Sequence, residues 1–294
     1  MFIKRIRLLL RGFVTLVCFL AVVPQWTQAS GTLSFRFYGG GAYLSGGDLN
    51  AGLKGYSNMY LDLAKLFGYN INGGYKAATL GIEFGGDLIF QITPAIGIGI
   101  GSGYISASKE SIMSFKNADE TVTQTVKPQF NAIPLNMGIF FTIPVSRKIY
   151  IILNGGVGYY FAKAKSFWSL NSGEMISEVS TDVKANAIGI NGGLAFDLKI
   201  NTHIGFFIGL SGRYVKISQF DGTGTEKSDG FSDITIGRLY YYETQNWGNG
   251  KYYPMVFVFD PKTPPINPPS LANLREAKID FSGASIRIGL TIHI

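Results

Sequence analysis

This chain has little charge, one cysteine and two histidines, and each shortage excludes something. Charged residues make up only 15% of the 294 positions, which is low for a soluble domain. The single cysteine, Cys18, falls inside an apolar run close to the N-terminus. If that run is removed, no disulfide and no thiol chemistry remain. His203 and His293 stand alone in the sequence, and two isolated histidines make neither a metal site nor a Ser-His-Asp set. Beyond residue 30 no apolar stretch is long enough for a membrane-spanning helix. No metal, cofactor, enzymatic activity or nucleic-acid partner is therefore expected.

The N-terminus has the features of an export signal. Lys4, Arg5, Arg7 and Arg11 precede an uncharged, mostly apolar run from Gly12 to Val23. Thr27-Gln28-Ala29 then places small residues at −3 and −1, so residues 1–29 read as a cleaved signal peptide. Val17 before Cys18 is a poor match to a lipoprotein signal. With the leader removed, 22 basic residues face 19 acidic ones, a net charge of +3. The basic isoelectric point belongs to the leader and says nothing of nucleic acid.

What the chain does have is alternation. Ile286, Ile288, Leu290, Ile292 and Ile294 share one face of a C-terminal strand, while Ser285, Arg287, Gly289, Thr291 and His293 share the other. The same period predicts seven more strands: about 32–44, 77–92, 96–108, 129–143, 148–163, 183–200 and 204–218. Their apolar faces are bulky, as in Leu80, Ile82, Phe84, Leu88 and Phe90, or Ile133, Leu135, Met137, Ile139 and Phe141. The opposite faces are rich in Gly, Asn and Ser. Connections alternate between tight turns (Thr93-Pro94-Ala95, Val145-Ser146-Arg147, Asn201-Thr202-His203) and long loops at 45–76, 109–128, 164–182 and 219–276.

A soluble eight-stranded barrel with an apolar cavity would show the same period. Its solvent face, however, would be dominated by Lys, Glu and Thr. Here the polar face is small and nearly uncharged, which suits a narrow interior. Aromatics gather toward both strand ends: Phe37, Phe90, Phe141 and Phe206 at one, Tyr43, Tyr104, Phe161 and Tyr214 at the other. Two aromatic girdles around an aliphatic band describe a lipid-facing surface. The expectation is one all-β domain over 30–294, an eight-stranded antiparallel up-and-down transmembrane β-barrel with short periplasmic turns and long extracellular loops.

On the signal peptide, the alternation, the loop asymmetry and the C-terminal strand, the chain resembles small outer-membrane β-barrels of the OmpA, OmpX and OmpW type. The resemblance implies an integral, monomeric protein among outer-membrane lipids and lipopolysaccharide. It also implies insertion by the outer-membrane assembly machinery, which reads the last strand; Leu290, Ile292 and Ile294 would carry that signal. The terminal Ile294 departs from the usual aromatic residue. No peptidoglycan-binding domain is expected after it.

Three features invite a functional reading. The glycine run from Gly97 to Gly103 fails the G-x-G-x-x-G spacing and is followed by no helix, so crowding of interior backbone explains it better. Arg36, Glu83, Asp87, Asp197, Arg213 and Arg287 all carry interior parity. In a narrow bore they must be paired or hydrated, either as a fixed plug or as a gate that lets small solutes through. The long loop 219–276 carries Tyr240, Tyr241, Tyr242, Trp247, Tyr252 and Tyr253, candidates for binding an extracellular ligand. Residues 234–242 and 252–259 are expected to pair as a hairpin above the membrane, with a ten-stranded barrel as the rival. Within residues 48–67, a short surface helix is expected from Met59 to Leu66.

Overall fold

The structure is a computed structural model and describes residues 31–118, 120–173, 175–245, 250–262 and 271–294. The signal sequence, Trp247 and the proline-rich run from Pro264 to Pro269 lie outside these residues. The elements in chain order are β1 (Thr32–Leu44), α1 (Gly47–Leu66), β2 (Asn70–Gly73), β3 (Leu80–Gln91), β4 (Ile96–Ser108), β5 (Ser111–Lys116), β6 (Thr121–Pro144), β7 (Ile149–Asn171) and β8 (Ile176–Lys199). They continue as β9 (Ile204–Tyr214), β10 (Lys216–Ile217), β11 (Asp221–Ser228), β12 (Phe231–Gln245), β13 (Tyr252–Phe259), β14 (Leu271–Glu276), β15 (Ile279–Asp280) and β16 (Gly283–His293).

Eight of these strands form a closed hydrogen-bonded ring, all pairs antiparallel: β1, β3, β4, β6, β7, β8, β9 and β16, with β16 returning to β1. Closure runs from Ser34 opposite His293 to Leu44 opposite Gly283. A ring has no edge, so every ring strand finds partners on both sides. The tight turns, the start of β1 and the end of β16 lie at one end of the ring, here the turn end, and the longer connections lie at the loop end. Side chains at the expected parity point outward. Ile98, Ile100, Leu135, Met137, Ile190, Leu210 and Ile288 are all exposed, while their sequence neighbours face in.

The loop end is not made of loops. β6, β7 and β8 run 24, 23 and 24 residues, and 23 residues span about 76 Å along the strand. They therefore continue far past the apolar band and, together with β5, absorb most of the expected loops at 109–128 and 164–182. β5 and β2 extend the sheet from β6, while β11, β12 and β13 extend it from β8. The expected hairpin exists, with Tyr242 opposite Met255 and Tyr240 opposite Phe257, and it joins this sheet through β11 rather than entering the ring. The described residues thus hold sixteen strands, eight of them in the ring.

The surface-helix expectation is corrected. α1 spans twenty residues and lies inside the curl of this upper sheet, with Leu49, Leu53 and Ser57 buried. Gly52 and Gly55 permit the approach, since a Cβ at either would lie 2.6 Å from the Val256 side chain or 2.1 Å from the Pro254 carbonyl oxygen. Trp168 of β7 packs under Tyr56 and Tyr60, with ring centroids at 4.7 and 5.1 Å. The buried apolar cluster at this end takes in Phe130, Ala162, Ala164, Trp168, Val183 and Leu239 together with Leu49 and Leu53 of the helix.

Candidate functional site

The interior of the ring is filled in layers. In the turn-end half lies a small apolar cluster of Ile89, Phe140, Ile152, Ala195 and Phe207 with Tyr38. The charges lie at the same depth and above it. Arg36 meets Asp197 at 3.6 Å, with both side chains almost wholly buried, and its guanidinium stacks 4.0 Å from the Phe207 ring centre. Thr291 donates a hydrogen bond to Asp197 at 2.8 Å, and Ser34 shares one with His293 at 2.9 Å.

Higher up, Glu83 is held between two arginines. Arg213 donates to one carboxylate oxygen at 3.1 Å and Arg287 to the other. Arg213 also donates to Ser285 Oγ at 3.0 Å and to the Phe281 carbonyl at 3.1 Å, and Arg287 lies 4.4 Å over the Tyr38 ring. Local sequence makes this trio feasible. Gly40 of β1 sits in register with both Glu83 and Arg287, so no side chain separates them. A Cβ at Gly40 would lie 1.8 Å from the Ile286 carbonyl oxygen.

Of the six charges expected in the interior, the structure joins five, as the Arg36–Asp197 pair and the Glu83–Arg213–Arg287 trio. Asp87 lies in register with Arg36, yet among the described residues it makes no ion pair within 4 Å. Beside the trio, a void of about 20 Å³ is lined by Asn136, Asn154, Asn191, Tyr160 and Ser211. It has room for one water-sized guest. Above that level the interior turns apolar, and α1 fills it.

The loop-end candidates separate. Tyr253 is buried, and its hydroxyl donates to Asp62 of α1 at 2.6 Å. That hydrogen bond and one from Lys251 hold the Asp62 carboxyl below the usual carboxylate range, against the opposing effect of burial. Tyr241 is partly buried under Arg275, whose guanidinium stacks at 4.3 Å; burial and a hydrogen bond to Glu243 push its phenol up to about 12. Tyr240 and Tyr242 stand with Phe257 and Phe259 on one face of the hairpin, and Tyr252 is exposed. Leu290, Ile292 and Ile294 all face outward at the turn end.

Sequence parity alone did not single out the partners Tyr38, Phe207, Ser285 and Thr291, although all four share the parity of the charges they serve. His203 and His293 sit at the turn end, where His203 Nδ1 donates to the His293 carbonyl at 3.4 Å. Among the described residues no three His, Cys, Asp or Glu side chains gather as a metal site.

No family model matches this sequence, and no curated protein matches it. Among solved structures, the chain is similar to the crystal structure of the outer membrane protein OprG from Pseudomonas aeruginosa. The TM-score is 0.39 at 10% identity, over 90% of this chain and 96% of that one. A likeness at that level transfers no residue's role.

Proposed function

We propose that this chain is an integral outer-membrane β-barrel protein whose bore is closed by its own side chains, with a structural or surface-binding role. The observation that carries the reading is the polarity of the eight-strand ring. Its outer wall is dominated by exposed Ile, Leu, Phe and Met, broken by small residues such as Gly155 and Ser102 and by Val157 and Tyr159, while its inner wall carries glycine, asparagine and paired charge. Water would penalise that outer wall, whereas a hydrocarbon phase accepts it, and a closed ring leaves no backbone group unpaired there. The long upper sheet then stands above the membrane, and the aromatic hairpin face of Tyr240, Tyr242, Phe257 and Phe259 supplies a surface for an extracellular ligand.

The test is electrophoretic and electrical. Protein extracted from membranes is expected to resist SDS unboiled and to shift mobility on boiling. In planar bilayers it is expected to show no large steady conductance, because the Glu83 trio and α1 occupy the bore. Co-migration of boiled and unboiled samples with a helical circular dichroism spectrum would sink the barrel reading.

A second reading, a narrow path for small hydrophobic or small polar solutes, draws on one observation. The loop-end half of the bore is lined by apolar side chains such as Phe130, Ala164 and Val183. In this structure α1 occupies that half, so passage requires the helix to move. Stable conductance in the wild type, or uptake that rises when α1 is released, would favour it.

A further inference from the structure

We propose that Lys163, Lys165 and Lys184 form a docking site for the phosphate of an anionic lipid in the outer leaflet. The inference rests on the membrane reading above and adds a ligand class and a place. On the outward face of β7 the order is Tyr159, Phe161, then Lys163 and Lys165. Phe161 lies opposite Ile133 and Lys163 lies opposite Asn131, so apolar wall gives way to polar wall at one level across strands. Two residues of strand place Lys163 about 7 Å beyond Phe161, the step from the aromatic edge of the hydrocarbon to the headgroups.

The charges there are not balanced by the protein. Lys163 lies directly opposite Lys184 on β8, and like charges directly opposite are destabilising. Asp182 serves two ammonium groups at once, Lys163 at 3.0 Å and Lys165 at 3.1 Å. Lys184 has no carboxylate within 4 Å among the described residues, because Asp221 opposite it is engaged by Arg238 at 2.9 Å. Two of the three cations thus share one carboxylate, and the third, Lys184, has none within 4 Å among the described residues.

A phosphate ester fits the deficit, since it offers charge and several acceptor oxygens to flexible ammonium groups. A lipid fits better than a soluble anion. Directly below the lysines lies an exposed apolar strip of Ile133, Phe161, Ile188 and Ile190, on which acyl chains can lie. The site is also local. At the loop-end rim of the opposite wall, β3 presents Leu80 and Ile82, β4 presents Ser106 and Ser108, and β16 presents Ala284.

The experiment uses the mature chain in vesicles of phosphatidylcholine containing a minority of phosphatidic acid. The lipid retained after detergent extraction is read by native mass spectrometry. Wild type is expected to hold phosphatidic acid well above its bulk fraction. Lys184→Gln is expected to reduce that enrichment about fivefold, the effect of one lysine near an anionic surface. The triple change Lys163→Gln, Lys165→Gln, Lys184→Gln should abolish it. Retention at the bulk fraction in wild type, or undiminished retention in both variants, overturns the proposal. So does full displacement by inorganic phosphate, which would mark a site for a soluble anion. Heat-dependent mobility of the same samples separates the two failures. A chain that inserts without enrichment refutes only the lipid site, and one that does not insert refutes the barrel.

Discussion

β7 is two strands in one. From Ile149 to Phe161 its outward side chains are apolar and its inward ones include Asn154, Gly156, Gly158 and Tyr160. From Ala162 to Trp168 the outward side carries Lys163 and Lys165, while Ala162, Ala164 and Trp168 pack inward. The backbone parity never changes; only the polarity inverts. β6 and β8 invert beside it, with Ile133 giving way to Asn131 and Gln129, and Ile188 to Asn186 and Lys184. The turn-end half is inside-out relative to a soluble protein, the arrangement that the proposed lipid surroundings would require, and the loop-end half has an ordinary apolar core. One continuous sheet carries both arrangements because parity is a property of the backbone and polarity is a property of each residue.

The comparison can be broken most forcefully at the buried charges. Glu83→Ala is expected to destabilise the ring by about 3–5 kcal/mol, because Arg213 and Arg287 lose their shared carboxylate in a water-poor bore. Denaturant titration of the heat-sensitive mobility shift would measure it. Adding Arg213→Met should recover part of the loss, and strict additivity in that cycle would show that the two side chains do not interact.

In the loop-end half the equivalent insult is a cavity. Trp168→Ala is expected to cost about 3–5 kcal/mol, yet only in the upper sheet. The ring should keep its SDS resistance while limited proteolysis attacks α1 and its surroundings. Loss of both properties together would mean that the two halves fold as one unit.

The outward faces offer a sharper contrast on a single strand. Ile190→Arg should hinder insertion by about 2–4 kcal/mol, as charge at lipid depth does. Asn186→Arg, four residues higher on the same face of β8, should change stability by less than about 0.5 kcal/mol. Equal tolerance would remove the boundary drawn at Phe161. Asn191→Arg is no benign control, since Asn191 lines the void beside Arg213 and Arg287.

The smallest expected effect is a pH dependence of the upper half. Asp62 is held below its ordinary value by Tyr253 and Lys251, so its contribution is complete above about pH 3.9 and is lost as pH falls through its lowered folded value. Asp62 is partly exposed, so the loss should stay below about 1 kcal/mol. Hydrogen exchange of α1 across that range would detect it. Asp62→Asn should remove the dependence without touching the ring.

Much of the ring was legible because period-two alternation is local. β1 and β4 occupy the expected boundaries, Thr32–Leu44 and Ile96–Ser108. The second strand begins at Leu80 rather than near residue 77, and the seventh stops at Tyr214, before the two-residue β10. The upper parts of β6, β7 and β8 were missed for a physical reason. Above Phe161 the apolar side chains, Phe130, Val183 and Trp168 among them, move to the inward positions and the outward ones turn polar, a pattern passed over when an apolar outer face is the signature sought.

The chain by itself determined which side chains face in and which charges share the bore, because these follow from backbone parity, whereas the choice of eight ring strands over ten was decided only by the hairpin joining through β11. Only the tertiary structure decided which charge meets which. Glu83 reaches Arg287 across Gly40, and Arg36 turns to Asp197 rather than to Asp87 in its own register, outcomes set by strand stagger and by the space each neighbour leaves. It also decided the place of α1. Leu49 and Leu53 could have lain on a membrane surface, but the longer wall raised by β6, β7 and β8 supplies an apolar concavity, and burying the helix there removes more apolar surface from water.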